Sequence, residues 1–476
     1  MDDESYTIVP APPIYIRKDL LEEYSRLYRG IRDREDMITW RTLIVKIKHL
    51  LGSKDPEHKK LPSGTKRKAN KLVGTLVKDT YLEVLTPEIF YALGYQVPKN
   101  RAETIDVMLF NGRHNSEPLL WTLADKYKKE GKSVAVVNPV GHYNDGQSRT
   151  LAMEKLISKV DKLIIIASTQ IKYGGSLTVL ANVIRTLRNS AFSKKISSVN
   201  VVIPMFGGSR GHRTSQSDEI GYEILEAIFN AKVLSLTTGD VIRKIKKDTK
   251  KVPKVSFFSV DIHSRDYPAE VFNKSGFPFI SINPSFVFAD EIYKLLDDKK
   301  LLHLPIRVVS CDRGAELRTE ALAERLINHP DNSIKEVDII YIEKKRITAG
   351  VTTEAKICKI SRWFLDEKGK VDKKTVTNMN ARKELYKEFV LIYSDDMIDT
   401  GGTAIKDLKL LAGKFPNARF KVFTATHPVL SKGSGVLDEI EVDKFLLGNT
   451  LNVKEVWEHP KAVKLDMAPA IFEELR

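Results

Sequence analysis

From residue 105 onward, short apolar runs alternate with amphipathic stretches, and this rhythm restricts the chain more than any other property. The runs 107–110, 134–138, 163–167, 199–204, 232–236, 256–260, 279–282, 306–309, 338–342, 390–393 and 420–424 read as strands, while 119–129, 177–188 and 319–327 carry helical spacing. Strand, helix and strand in succession build a parallel α/β sheet, and so many strands are expected to form two sheets. Ligands in such sheets gather beyond the carboxyl ends of the strands. The loops that follow strands are therefore where chemistry is to be sought.

One of those loops has a distinctive composition. The apolar run Val390, Leu391, Ile392, Tyr393 leads through Ser394 into the adjacent carboxylates Asp395 and Asp396, then into Asp399, Thr400, Gly401, Gly402 and Thr403, and on into a helical stretch at 404–411. A turn of this kind offers consecutive backbone N–H groups, small side chains, two hydroxyls and the positive end of a helix, which together suit a phosphate. The acid pair cannot bind phosphate itself, but it can hold sugar hydroxyls or a hard cation beside it. Diphosphate, ribose and magnesium are the expected company.

Composition agrees with a soluble enzyme. The chain has 476 residues, 42% of them apolar, which predicts two to four domains with real cores. No apolar run approaches the roughly 18 residues that span a bilayer, and residues 1–8 lack a secretory pattern, so a cytoplasmic protein without membrane contact is expected. Cys311 and Cys358 are the only cysteines, too few for a disulfide framework or a structural zinc site. The net charge of +15 suits polyphosphate substrates as well as nucleic acid. Residues 1–104 read as an extension with a helix over 18–32, an apolar patch at 43–51 and a basic stretch around Lys59, Lys60, Lys66, Arg67, Lys68 and Lys71. Few aromatic residues interleave there, so a nucleic-acid partner is not expected.

The loop at 395–403 resembles the phosphoribosyl diphosphate motif of the type I phosphoribosyltransferase fold, in which two acidic residues precede a D-T-x-G-T turn. Further segments extend the likeness to the ribose-phosphate pyrophosphokinases. Phe110, Asn111 and Gly112 are similar to that family's opening strand end. Tyr143, Asn144, Asp145, Gly146, Gln147 resembles its F-S-D-G-E segment, and 201–206 followed by Ser209 and Arg210 its V-I-P-x-F-x-Y-A-R-Q-D. Val260, Asp261, Ile262, His263 resembles D-L-H-A, Val309 to Ala315 resembles V-S-P-D-A-G-G, and Tyr341 to Arg346 resembles the catalytic flexible loop. Thr426 with His427, Asn449 with Thr450, and the C-terminal stretch from Asp466 are later matches.

The resemblance implies two tandem type I phosphoribosyltransferase-like domains with parallel sheets flanked by helices: an ATP side at 105–260, completed by a terminal helix at 464–476, and a ribose phosphate side at 261–463. It implies a magnesium-dependent diphosphotransferase that uses ATP as co-substrate and assembles as a homo-oligomer. Lys344 and Arg346 inherit the catalytic positions; Tyr143, Asp145, Gln147, Arg210 and His212 the ATP site; His263 and Asp312 the metal. Asp395, Asp396, Asp399, Thr400, Gly401, Gly402 and Thr403 inherit the ribose phosphate site. Several residues depart from the family pattern. Gln147 replaces a glutamate, the R-Q-D triplet becomes Arg210, Gly211, His212, and Arg313 and Glu316 stand where small residues are usual. A charged insertion between Arg346 and Asp395 reads as a longer lid. Ribose 5-phosphate is the default acceptor. The alternatives are ADP-ribose, as in divergent viral enzymes of NAD salvage, and a catalytically silent regulator of a partner synthetase.

Overall fold

The computed structural model describes residues 81–84 and most of 104–476. Residues 1–80, 85–103, 112–116, 143–147, 151–158, 170–175, 189–192, 209–225, 376–386 and a few single or paired positions lie outside the described set. The expected features at 18–32, 43–51 and 59–71 fall there, as do Tyr143, Asp145, Gln147, Arg210 and His212 of the expected ATP site.

The first half comprises β1 (Tyr81–Val84), β2 (Thr104–Asn111), α1 (Glu117–Lys129), β3 (Val134–Val137), a small hairpin of β4 (Val140–His142) and β5 (Ser148–Thr150), β6 (Lys159–Ile166), α2 (Leu177–Thr186), β7 (Ile196–Ile203), α3 (Glu226–Asp248), β8 (Lys254–Val260), α4 (Asp266–Lys274) and β9 (Phe279–Ile282). Its strands form a seven-stranded sheet in the order β1-β3-β2-β6-β7-β8-β9, parallel at every pairing. Two expectations are corrected here. The run 232–236 is not a strand but part of α3, whose buried Ala227, Ala231, Leu234, Thr238, Val241 and Ile245 repeat at helical spacing. The sheet also continues past residue 260, because β9 forms its edge, so a division at 260/261 cuts through it.

The second half follows as α5 (Ser285–Asp298), β10 (Ile306–Ser310), α6 (Glu316–Ile327), β11 (Glu336–Thr348), β12 (Val351–Leu365), β13 (Val371–Thr375), β14 (Phe389–Ile398), α7 (Gly402–Lys414), β15 (Ala418–Pro428), β16 (Lys444–Gly448), α8 (Lys454–Trp457), β17 (Ala462–Leu465) and α9 (Ala468–Leu475). Its eight-stranded sheet runs β13-β12-β11-β10-β14-β15-β16-β17. From β11 to β17 the pairings are parallel, but β12 and β13 add antiparallel to the β11 edge. The segment expected as a lid after Arg346 is therefore, over 351–375, an extension of the sheet. Arg362 lies opposite Asp338 on β11 and donates to both its carboxylate oxygens at 2.8 and 3.0 Å, and Trp363 is buried beside it. Such cross-strand pairs lock a strand in register.

The two sheets share a core. Alternate residues of the central strands point to opposite faces: Ile164 and Val202 of the first sheet and Val308, Val390 and Ile392 of the second enter one continuous apolar layer. That layer also holds Leu123 of α1, Ile292 of α5, Leu326 of α6 and Ile471 of α9. Ile165, Val201 and Ile203 instead face α2, α3 and α4, and Leu391 and Tyr393 face α7. Strands covered on both faces must be apolar throughout, which is why the central strands read as unbroken runs. α9 lies on α1, with the Tyr127 and Phe472 rings 4.8 Å apart edge to face, and the Leu475 carbonyl accepts from both Tyr127 and Lys162.

Candidate active site

In the second sheet the chain leaves β10 for β11 on one side, and leaves β14 for β15 on the other. The crevice outside the carboxyl ends of β10 and β14 is thus a topological switch point, where open α/β sheets bind ligands. β10 stops at Ser310, level with Ser394 of β14. Beyond that row β14 keeps only β15 as a neighbour, with Asp395 opposite Ala425 and Met397 opposite His427. The acid pair emerges where the neighbouring strand ends.

The turn from β14 into α7 is set by a glycine. Gly401 caps the helix in the left-handed region at φ 70°, and a Cβ there would lie 2.8 Å from Val436 Cγ1, so both the conformation and the close approach require glycine. Thr400, Gly402 and Thr403 are exposed at the helix start. Asp399 accepts the Ser431 N–H at 2.9 Å, fixing the turn against the following loop.

Two acids side by side are shifted in opposite directions. Burial, and then the charge of Asp396, lift the Asp395 carboxyl well above the usual carboxylate range. Burial alone would lift Asp396 too, but the Arg318 guanidinium and the hydrogen-bonded His263 ring outweigh it and hold Asp396 well below that range. Asp395 Oδ1 accepts the Asp396 N–H at 2.9 Å, and His263 Nδ1 lies 2.9 Å from Asp396 Oδ2.

His263 belongs to the loop after β8, so the first sheet contributes to this crevice. Asp261 in the same loop takes φ 43°, an uncommon conformation for a residue with a side chain. Its carboxylate receives Arg318 Nε at 2.8 and 2.9 Å and the Thr426 hydroxyl at 2.6 Å, and its carbonyl oxygen lies 3.3 Å from His427 Nε2. Burial would lower the Arg318 pKa, but the surrounding Asp261, Asp396 and Asp395 carboxylates more than offset it and hold the guanidinium above its ordinary value. Arg318 thus neutralises acids from both halves of the chain.

Of the expected metal residues, His263 meets Asp396, while Asp312 accepts the Ala315 N–H at 3.1 Å and lies within electrostatic reach of Asp395. Lys344 and Arg346 sit in β11 rather than in a loop. The Lys344 ammonium is buried 2.7 Å from Asp407 Oδ2 on α7; of Arg346 the backbone is described, in the hairpin opposite Thr352. Sequence reading missed Arg318 and Asp407 altogether, and it gave Asp261 no role although the residue stood within a quoted motif.

No family model matches the chain. A ribose-phosphate pyrophosphokinase of Xylella fastidiosa is 24% identical over 375 residues, covering 78% of this chain and 93% of the relative. A protein of that name from Shewanella oneidensis is 26% identical over 377 residues, covering 78% and 95%. The fold is shared with the crystal structure of phosphoribosylpyrophosphate synthetase from Mycobacterium smegmatis, with a TM-score of 0.50 and 20% identity over 78% of this chain and 98% of that one. With paired α/β sheets, a glycine-capped turn after an acid pair, and ribose-phosphate pyrophosphokinases matched over nearly their whole length, the chain is similar to that family as a divergent relative.

Proposed function

We propose that the protein transfers the β,γ-diphosphate of ATP to the anomeric hydroxyl of ribose 5-phosphate, giving phosphoribosyl diphosphate and AMP. The observation that carries this reading is the junction of three parts at one switch point: the Thr400 to Thr403 turn capped by Gly401, the acid pair Asp395 and Asp396, and the ammonium of Lys344 beside the same helix. The helix start takes the 5-phosphate through backbone N–H groups. Asp396, held ionised, accepts from ribose hydroxyls. The anomeric oxygen forms its new bond to the β-phosphorus, giving up its hydroxyl proton to water, while the bond from that phosphorus to the α,β-bridging oxygen breaks, and AMP departs with the bridging oxygen. Transfer of this kind depends on positioning and charge neutralisation more than on a strong base. Lys344 supplies a cation for the oxygens on which charge develops.

Among the described residues no three His, Cys, Asp or Glu side chains form a ready-made cation cage. Magnesium is ordinarily held by one or two carboxylates together with substrate phosphates, and an ionised Asp396 beside Asp395 fits that manner of binding. Bound there with ATP, magnesium would neutralise charge on the diphosphate.

The test is AMP release by the full chain with ATP and magnesium, with the sugar product identified by mass spectrometry. AMP formed with ribose 5-phosphate supports the reading. Turnover with ADP-ribose in its place would reassign the acceptor, and AMP from neither would overturn the transfer.

A further inference from the structure

Lys344 does not hang free over the crevice. Its backbone is clamped in β11 opposite Ala355 of β12, past the point at which β10 stops pairing. Its side chain is 5% exposed and ends 2.7 Å from Asp407 Oδ2, itself 1% exposed. The same Asp407 oxygen accepts the Tyr393 hydroxyl at 2.7 Å. Tyr393 lies two residues before Asp395 on β14. Asp407 lies five residues beyond Gly402, roughly 7–8 Å along the helix whose start forms the phosphate turn. Three elements that each carry part of the site, β11, β14 and α7, are thereby tied at one buried point.

The pair is not internally complete. The ammonium is close to Asp407 Oδ2 but off the line of a well-formed hydrogen bond, and Asp407 Oδ1 has no hydrogen-bond partner in its buried place. An ammonium carries three donors, and Asp407 can engage only part of them; the enclosed Nζ would present the rest to an oxyanion only when the crevice opens to substrate. A buried ion pair is a poor device for stability alone, because packed apolar residues of similar volume usually do as well or better. A lysine stem also loses much rotamer freedom when fixed, and a fixed partner removes that cost before substrate arrives.

We propose that Asp407 is a positioning residue for diphosphate transfer: braced by Tyr393, it holds the Lys344 ammonium at the switch point, aimed at the anionic oxygens of the transferring group. The proposal rests on the function proposed above and assigns Asp407 and Tyr393 no contact with substrate.

The test is a double-mutant cycle on the full chain, with kcat and KM measured for Asp407→Asn, Lys344→Ala and the pair. Misplacement of a catalytic group by about 1 Å can cost on the order of 100-fold, so Asp407→Asn is expected to lower kcat about 10–100-fold while KM for ribose 5-phosphate changes less than about twofold. In the Lys344→Ala background the same substitution is expected to have no further effect on kcat, which a merely structural role would not produce. Independent losses in the two backgrounds, or an unchanged or raised kcat in Asp407→Asn, would overturn the assignment. If Asp407→Asn fails to fold, Tyr393→Phe is run through the same cycle, with a smaller loss expected in the Lys344 background and none with Lys344→Ala. Reductive methylation followed by peptide mass spectrometry reads the pairing without turnover. Lys344 should be protected in the parent chain and modified in Asp407→Asn; equal modification in both overturns the proposal. Absence of AMP from the parent chain with any ribose phosphate would remove the transfer itself, and Asp407's role with it, whereas a working parent with an unaffected variant removes Asp407 alone.

Discussion

Replacing Arg318 by methionine tests whether one buried guanidinium holds the crevice together. The stem is kept and the charge removed. Arg318 Nε donates to both Asp261 oxygens at 2.8 and 2.9 Å, and the two side chains are 14% and 11% exposed. Removing one partner of a buried pair leaves the other charge uncompensated and costs about 3–5 kcal/mol. The Thr426 hydroxyl, 2.6 Å from Asp261 Oδ2, still donates, which places the expected loss toward the lower end of that range. Urea unfolding of the full chain at neutral pH measures it. Changing Asp261 to Asn in the same chain removes the stranded charge, so the double variant should be more stable than the sum of the single losses by about 0.5–3 kcal/mol, the usual size of such coupling. A loss under about 1 kcal/mol for Arg318→Met, or strict additivity in the double variant, would refute the argument that Arg318 compensates Asp261.

Gly401→Ala combines a left-handed backbone with a Cβ 2.8 Å from Val436 Cγ1; about 1–2 kcal/mol for the conformation and about 1–3 kcal/mol for overpacking should lower the urea midpoint, and ribose 5-phosphate binding by calorimetry should weaken with it. Burial holds the His427 imidazole below its ordinary value. The unfolded chain therefore takes up a proton as pH falls through about 6.5 while the folded chain does not, so stability present above that pH should decline below it, and His427→Asn should flatten the profile. Cys358 is exposed and Cys311 buried, and burial with the nearby Asp395 and Asp312 charges pushes the Cys311 thiol up. A maleimide should label Cys358 promptly and Cys311 only on unfolding, as read by intact mass.

What the sequence disclosed was what local rules encode. The turn at 399–403 was legible because a left-handed cap and a helix start are written in adjacent residues. The central strands were legible because burial on both faces leaves unbroken apolar runs. Lys232 to Leu236 misled, since five apolar-rich residues read alike in a buried strand and on a helix until the spacing across Ala227, Ala231 and Leu234 is included. The stretch at 351–375 looked like a lid because it is a charged insertion between Arg346 and Asp395, whereas Arg362 is matched across the strand by Asp338. Arg318 with Asp261, and Lys344 with Asp407, are pairings between distant segments. No spacing rule connects them, so they become visible only when the sheets are assembled.

The seating of α9 on α1 has a consequence for how the chain must be made. Ile471, Phe472 and Leu475 are buried in the layer shared by the sheets, and hiding such side chains contributes about 1.5–3 kcal/mol each. During synthesis the first sheet, complete at Ile282, emerges well before the helix starting at Ala468 that covers part of it. Its apolar flank stays wet throughout that interval, a state in which nascent chains associate wrongly. Completion of the first half to be translated therefore waits for α9, and the two halves mature together rather than in turn.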